Sequence, residues 1–166
     1  MRRNVLILAA VLLLLSPIQA SAKEWRGLVP MKSVREDVRK LLGEPAVVEP
    51  AYEIYELAEE TVWVEYVTYR CDAELPLGCP AAPVCKLPPH TVLDVAVTLR
   101  RPMPVAEIDL DLSTFEKGPD SLNSGRVFFY KDREHGFKVQ VRDGAVIAYF
   151  YGPTKQDTKL FRCPKE

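Results

Sequence analysis

Histidine is scarce in this chain of 166 residues, occurring only as His90 and His135. Neither sits in an H-E-x-x-H pair, and the chain has no G-x-S-x-G elbow, glycine-rich phosphate loop or P-loop. Chemistry that announces itself by a linear motif is therefore missing, and no cofactor is expected; a site assembled in space would leave no such trace. Beyond Leu15 no apolar run approaches the ~20 residues that a membrane-spanning helix needs, so no stable membrane span is expected in the mature chain. Blocks of lysine or arginine are absent as well, which leaves a phosphate backbone nothing to grip and excludes nucleic acid as the expected partner.

What the chain does have begins at its first residues. Arg2 and Arg3 precede an unbroken apolar run from Val5 to Leu15, and Ala20-Ser21-Ala22 follows it. A positive start, a short apolar stretch and a small-x-small exit form the pattern of a secretory signal peptide. Residues 1–22 are expected to be removed, leaving 23–166 as a single domain that begins at Lys23 and is periplasmic or secreted. A run of that length covers about half of the ~30 Å hydrocarbon core, which argues against an anchor. The first cysteine is Cys71, so no lipidated cysteine follows the cleavage site. Arg2-Arg3 imitates a twin-arginine signal, but the polar and Phe positions around that motif are missing, and general secretion is the better match. The whole chain carries 22 Lys+Arg against 23 Asp+Glu. Loss of Arg2 and Arg3 takes the net charge from −1 to about −3.

The mature part reads as an α+β domain, an N-terminal helix packed on a largely antiparallel sheet. Ser33-Val34-Arg35-Glu36 has the S-x-x-E spacing of a capping box. Val34, Val38, Leu41 and Leu42 follow on one helical face, and Gly43 and Pro45 supply the stop. Tyr52–Leu57 and Thr61–Arg70 are rich in β-branched and aromatic residues and predict a hairpin, with Val62, Val64 and Tyr66 on one face. Cys71 to Pro89 holds five prolines and three cysteines, the composition of a tied-down loop. Leu93, Val95, Val97 and Leu99 alternate with polar or small residues, as in a half-buried strand, and Ile108, Leu110 and Leu112 alternate likewise. Val127–Tyr130, Phe137–Val141 and Val146–Tyr151 predict a meander, with Asp143-Gly144 as its clearest turn.

Four cysteines in an exported chain predict two disulfides. The spacing of Cys71, Cys79 and Cys85 lacks the paired C-x-x-C knuckles of a zinc site or a redox pair, so both are poorer readings. Of three possible pairings, Cys71 with Cys163 and Cys79 with Cys85 is favoured. The first fastens the tail to a strand end and the second closes a proline-stiffened loop.

Two acidic constellations carry possible function. Glu107, Asp109 and Asp111 project from one face of the expected strand, and Asp109-x-Asp111-x-Ser113 imitates the opening of a calcium loop. Thr114 at the sixth position and Asp120 at the twelfth break that pattern, leaving a solvated strand face. The other is the acidic hairpin: seven glutamates and no basic residue lie between Lys40 and Arg70. Where rings and carboxylates alternate on an exposed face they form a protein-binding surface, and the candidates are Tyr52, Glu53, Tyr55, Glu56, Glu65 and Tyr66. Some of these rings must be core, and Trp25 reads as a core plug.

Trp25-Arg26-Gly27, Ser33 to Val38, Leu41-Leu42-Gly43, Tyr151-Gly152-Pro153 and Leu160-Phe161-Arg162-Cys163-Pro164 together resemble an uncharacterised exported bacterial protein family. More distantly, Val38-x-x-Leu41-Leu42-Gly43-x-Pro45 followed by a hairpin is similar to the SmpA/OmlA-like outer-membrane-assembly lipoproteins and the β-lactamase-inhibitor fold, over about Met31 to Arg70. Those families act by binding proteins, and the absent lipidated cysteine sets this chain apart from the lipoproteins. The first resemblance implies export and fold but no known activity. The more distant one tilts the expectation toward an exported, soluble, non-catalytic protein-binding module of the cell envelope, its partner another envelope or extracellular protein. The alternative from another class is a small exported hydrolase using His90 or His135 with a carboxylate. A histidine and a carboxylate in one concave pocket would favour the enzyme, and a flat exposed aromatic patch would favour binding.

Non-reducing peptide mapping should find Cys71 joined to Cys163 and Cys79 to Cys85. The chain-entropy model assigns about 4.6 kcal/mol to the long closure and about 2.4 kcal/mol to the short one. Cys163→Ala should therefore lower the unfolding midpoint more than Cys79→Ala combined with Cys85→Ala. A bridge from Cys71 to Cys79 would contradict the placement of the tail.

Overall fold

A computed structural model describes residues 22–68, 87–119 and 126–160. The four cysteines, and with them the expected disulfides, lie outside the described residues. So do the expected signal peptide up to Ser21 and most of the proline-rich loop.

The α+β expectation is corrected: the chain is mainly antiparallel β-sheet. Eight strands form one sheet: β1 (Val47–Val48), β2 (Tyr52–Glu56), β3 (Glu60–Tyr66), β4 (Val92–Pro104), β5 (Glu116–Pro119), β6 (Val127–Asp132), β7 (Phe137–Arg142) and β8 (Ala145–Tyr151). Their spatial order is β1-β2-β3-β4-β8-β7-β6-β5. The described helices are α1 (Arg35–Leu42) and the single-turn α2 (Lys155–Leu160). The helix ends at Leu42, where the Gly43 stop places it, but the stripe overstated its packing, since only Val38 on it is fully buried. Leu41 is 45% exposed.

The helix start also lies one residue later than the serine suggests. Val34 is the N-cap, and Asp37, not Glu36, accepts from the Val34 amide at 2.9 Å. Ser33 Oγ instead accepts from the Val29 amide at 3.0 Å, closing the turn before the helix. Gly43 ends α1 at φ 82, a conformation that costs glycine nothing.

Two apolar clusters occupy one face of the sheet. Val38 of α1, with Trp25 and Leu28 from a tight N-terminal turn, covers Tyr55, Val62, Val64, Val92, Val95 and Val97. Trp25 is buried, in keeping with a core plug. The second cluster, Phe137, Val139, Val141 and Val146, is covered by the arch from Val105 to Phe115. A strand at Ile108–Leu112 was expected there, and the structure corrects it to two 3-10 turns, Val105–Glu107 and Leu112–Thr114. Pro102 and Pro104 remove ladder donors just before it. The Asp111 side chain then takes the amide and hydroxyl of Ser113, at 3.0 and 2.6 Å, diverting the backbone from pairing. Glu107, Asp109 and Asp111 thus share no strand face.

Beneath α1 a charged group is completely buried. Glu53 is 0% exposed, and its carboxylate accepts from the hydroxyls of Tyr55 at 2.6 Å and Tyr66 at 2.8 Å and from Arg39 Nε at 3.0 Å. Arg35 approaches to 3.6 Å, lies over the Tyr66 ring at 4.3 Å, and donates to the carbonyls of Glu49 and Pro50. Burial alone would raise the Glu53 pKa, but the hydrogen bonds from Arg39, Tyr55 and Tyr66 outweigh it and hold the carboxyl below its ordinary range. Burial first, and then the hydrogen bonds to the Glu53 carboxylate, push both tyrosines up.

Replacing Glu53 by Gln should cost about 3–5 kcal/mol in urea unfolding at neutral pH, because the arginines lose their counter-charge. A depressed folded-state pKa gives stability that is present above the unfolded value and lost as pH falls through the folded one. The variant should therefore lose part of the wild-type decline in stability at acid pH.

Candidate functional site

A strand sends alternate side chains to opposite faces, and this divides the expected binding surface in two. Glu53, Tyr55 and Tyr66 point into the core at 0%, 1% and 2% exposure and are corrected from surface to interior. Their polar atoms are consumed by one another and by the arginines of α1. Tyr52, Glu56 and Glu65 lie on the other face of the sheet. There the ring of Tyr52 stacks on Trp63, centroids 4.1 Å apart. Trp63 is 43% exposed because Val62 and Val64 turn inward.

Register carries this face across six strands. Ile54, Trp63, Ala96, Phe150, Lys138 and Lys131 are successive cross-strand neighbours from β2 to β6. None of them belongs to a buried apolar cluster among the described residues. One end of the row is aromatic and flanked by acids. At the other end Lys131 and Lys138 stand directly opposite each other, an unfavourable like-charge pair.

Beside the lysines opens a cleft of about 750 Å³, within the range of ligand pockets. Its apolar wall includes Phe129 and Pro153, and Lys155, Thr158 and Lys159 of α2 contribute to its lining. Thr154 and Asp157 fix that helical turn: the Asp157 amide donates to Thr154 Oγ1 at 3.0 Å, and Asp157 Oδ2 accepts from the Thr154 amide at 3.1 Å. This T-x-x-D box was the signal in the sequence that would have placed Lys155 and Lys159 on a helix. Arg133 also lines the cleft, but its charge is met by Glu116 at 2.6 and 3.0 Å. Lys131, Lys138, Lys155 and Lys159 make no ion pair among the described residues.

Asp94 of β4 is the acidic counterpart. Its carboxylate accepts no hydrogen bond among the described residues. Burial pushes the carboxyl up to about 6, with Lys138 opposing the rise and Glu65 adding to it. Gly152 lies so close that a Cβ there would overlap the Asp94 carboxylate, and a Cβ at Gly136 would overlap the Gly152 carbonyl. Two glycines thus keep backbone and carboxylate together where the cleft is lined by all three. A strand position next to Leu93 and Val95 reads along the chain as an ordinary polar face, so the alternation concealed Asp94.

The histidines lie apart from this arrangement. His90 is exposed, and its backbone bridges to Val67 and Arg35. His135 Nδ1 lies 2.7 Å from Asp132 Oδ2, and the Asp132 side of that pair lines the cleft while the imidazole does not. No group of three His, Cys, Asp or Glu side chains among the described residues could hold a metal ion, and no described helix is long and apolar enough to cross a membrane. No protein-family model matches this chain, and neither a curated protein nor a solved structure matches it.

An unpaired carboxylate whose pKa is raised by burial weakens the fold once it ionises. Stability from this group is full below the ordinary value near 3.8 and is lost as pH rises through about 6. Asp94→Asn should therefore raise folding stability at neutral pH by up to about 3 kcal/mol, with the gain disappearing toward pH 4. Urea denaturation at both pH values measures it. Equal effects at the two would mean that the charge of Asp94 is not the cause.

Proposed function

We propose that this protein is an exported, soluble, non-catalytic binding module of the cell envelope that receives a partner protein on the open face of its sheet. The observation that carries this reading is the Tyr52–Trp63 stack, an aromatic platform on the face that α1 and the Val105–Phe115 arch leave free, beside the half-exposed Ile54 and Ala96 and rimmed by Glu56 and Glu65. Aromatic rings supply contact area at small entropic cost, and the surrounding acids select a partner with complementary charge. Export rests on the leader-like start of the chain. The resemblance to envelope-assembly proteins agrees with a binding role.

The hydrolase reading has one observation in its favour, the His135–Asp132 contact. Against it, the imidazole lies outside the cleft, and no Ser or Thr hydroxyl among the described residues bonds to it. A nucleophile must lie within hydrogen-bond reach of its base for this chemistry.

A photo-activated cross-linker placed at Trp63 should yield one discrete adduct in the exporting cell, and the same group at Glu36 on α1 should yield none. Trp63→Ala should abolish the adduct formed from a cross-linker at Ile54 while costing only about 1 kcal/mol of stability, the stacking share of an exposed ring. Loss of the cellular phenotype in His135→Ala with unchanged folding, together with no adduct from Trp63, would replace this reading with the hydrolase.

A further inference from the structure

Three features of the cleft oppose the stability of the fold. Asp94 is partly buried and accepts no hydrogen bond among the described residues, Lys131 faces Lys138 directly, and Gly136 and Gly152 hold positions where even a Cβ would collide with the Gly152 carbonyl and the Asp94 carboxylate, so the entropically costly glycine is required. Unpaired charges at close quarters, held on a rigid sheet, are the form a binding site takes when its ligand supplies the missing partners.

The distribution of charge restricts that ligand. Asp94 is the buried group, and the lysines of β6, β7 and α2 stand around it. A bare anion would be repelled by Asp94 if it entered deeply. An ammonium group would meet Asp94 but also the field of four lysines that make no ion pair among the described residues. A neutral O–H donor satisfies the carboxylate without either penalty, and an anionic group further out meets the lysine ammonium groups, whose rotatable donors suit phosphate or carboxylate. The wall formed by Phe129 and Pro153 asks for an apolar face on the same molecule. A sugar ring has such a face in its C–H bonds.

The geometry points to a binding site in this cleft for an anionic sugar, a monosaccharide unit carrying a phosphate or a carboxylate. Its hydroxyls donate to Asp94, and its anionic group lies among Lys131, Lys138, Lys155 and Lys159. The site adjoins the acidic rim of the aromatic platform, Asp94 being the cross-strand neighbour of Glu65, but it does not depend on a protein partner.

Calorimetric titration of the full mature chain with glucose 6-phosphate, glucuronate, glucose and inorganic phosphate tests this. Either or both of the first two should bind, and which of them does separates a phosphorylated from a carboxylated source. Glucose and inorganic phosphate should each bind at least about tenfold more weakly, since each satisfies half of the site. Asp94→Asn should weaken the sugar anion by about tenfold without weakening inorganic phosphate, and Lys155→Ala with Lys159→Ala should weaken both. Because Asp94→Asn is expected to stabilise the fold, its loss of affinity cannot come from unfolding. Inorganic phosphate binding as tightly as glucose 6-phosphate would mean an adventitious ion only and overturn the proposal. So would absence of binding by both sugar anions up to about 10 mM.

Discussion

A carboxylate taken out of water costs several kcal/mol unless charged donors replace its hydration, and Glu53 meets that condition through four neighbours. Two tyrosines on its own sheet and two arginines on α1 converge on its oxygens. The interaction fixes where α1 sits, because Val38 and the partly buried Leu42 are its main apolar contacts and offer little area to hold eight residues in register. It also holds the β1–β2 turn, since Arg35 reaches the carbonyls of Glu49 and Pro50 from the same position. Removing either arginine would leave the buried Glu53 carboxylate charged, dry and short of a counter-charge.

Binding α1 to one side of the sheet has a consequence on the other. Helix, N-terminal turn and the Val105–Phe115 arch all cover the same face, so the valines of β3, β4 and β7 are inward and the residues alternating with them outward. The outward row keeps the Tyr52–Trp63 stack and the Phe129–Phe150 pair near the surface. Open faces of antiparallel sheets normally alternate toward polar residues. This one is aromatic at one end and cationic at the other, which is why it draws the functional argument.

Glu53 and Asp94 are opposite uses of a carboxylate in one sheet. The first is fully hydrogen-bonded, its pKa held down, and stabilises the fold when ionised. The second accepts no hydrogen bond among the described residues, its pKa is raised by burial, and it destabilises the fold when ionised. Satisfaction by the protein's own groups marks Glu53 as structural. Lack of it at Asp94, inside a cleft, is where a ligand would complete the bonding.

Local order was legible along the chain. The hairpin of β2 and β3, the meander of β6 to β8, the Asp143-Gly144 turn and the Gly43 stop all rest on short-range rules of alternation and backbone freedom. Those rules do not reach the balance of layers, so a short helix sets the expected fold class as α+β where the sheet dominates. They also miss β5, whose Lys-Gly-Pro composition suits an edge strand only once a neighbour is there to pair with it. The acidic hairpin shows the limit most clearly. Composition brought Glu53 and Glu65 into one surface, and only the packing of α1 decided that one is core and the other solvent-facing. Alternation specifies that neighbouring residues face opposite ways. Which way is inward depends on what covers the sheet, and that is a long-range contact the sequence of a strand does not contain.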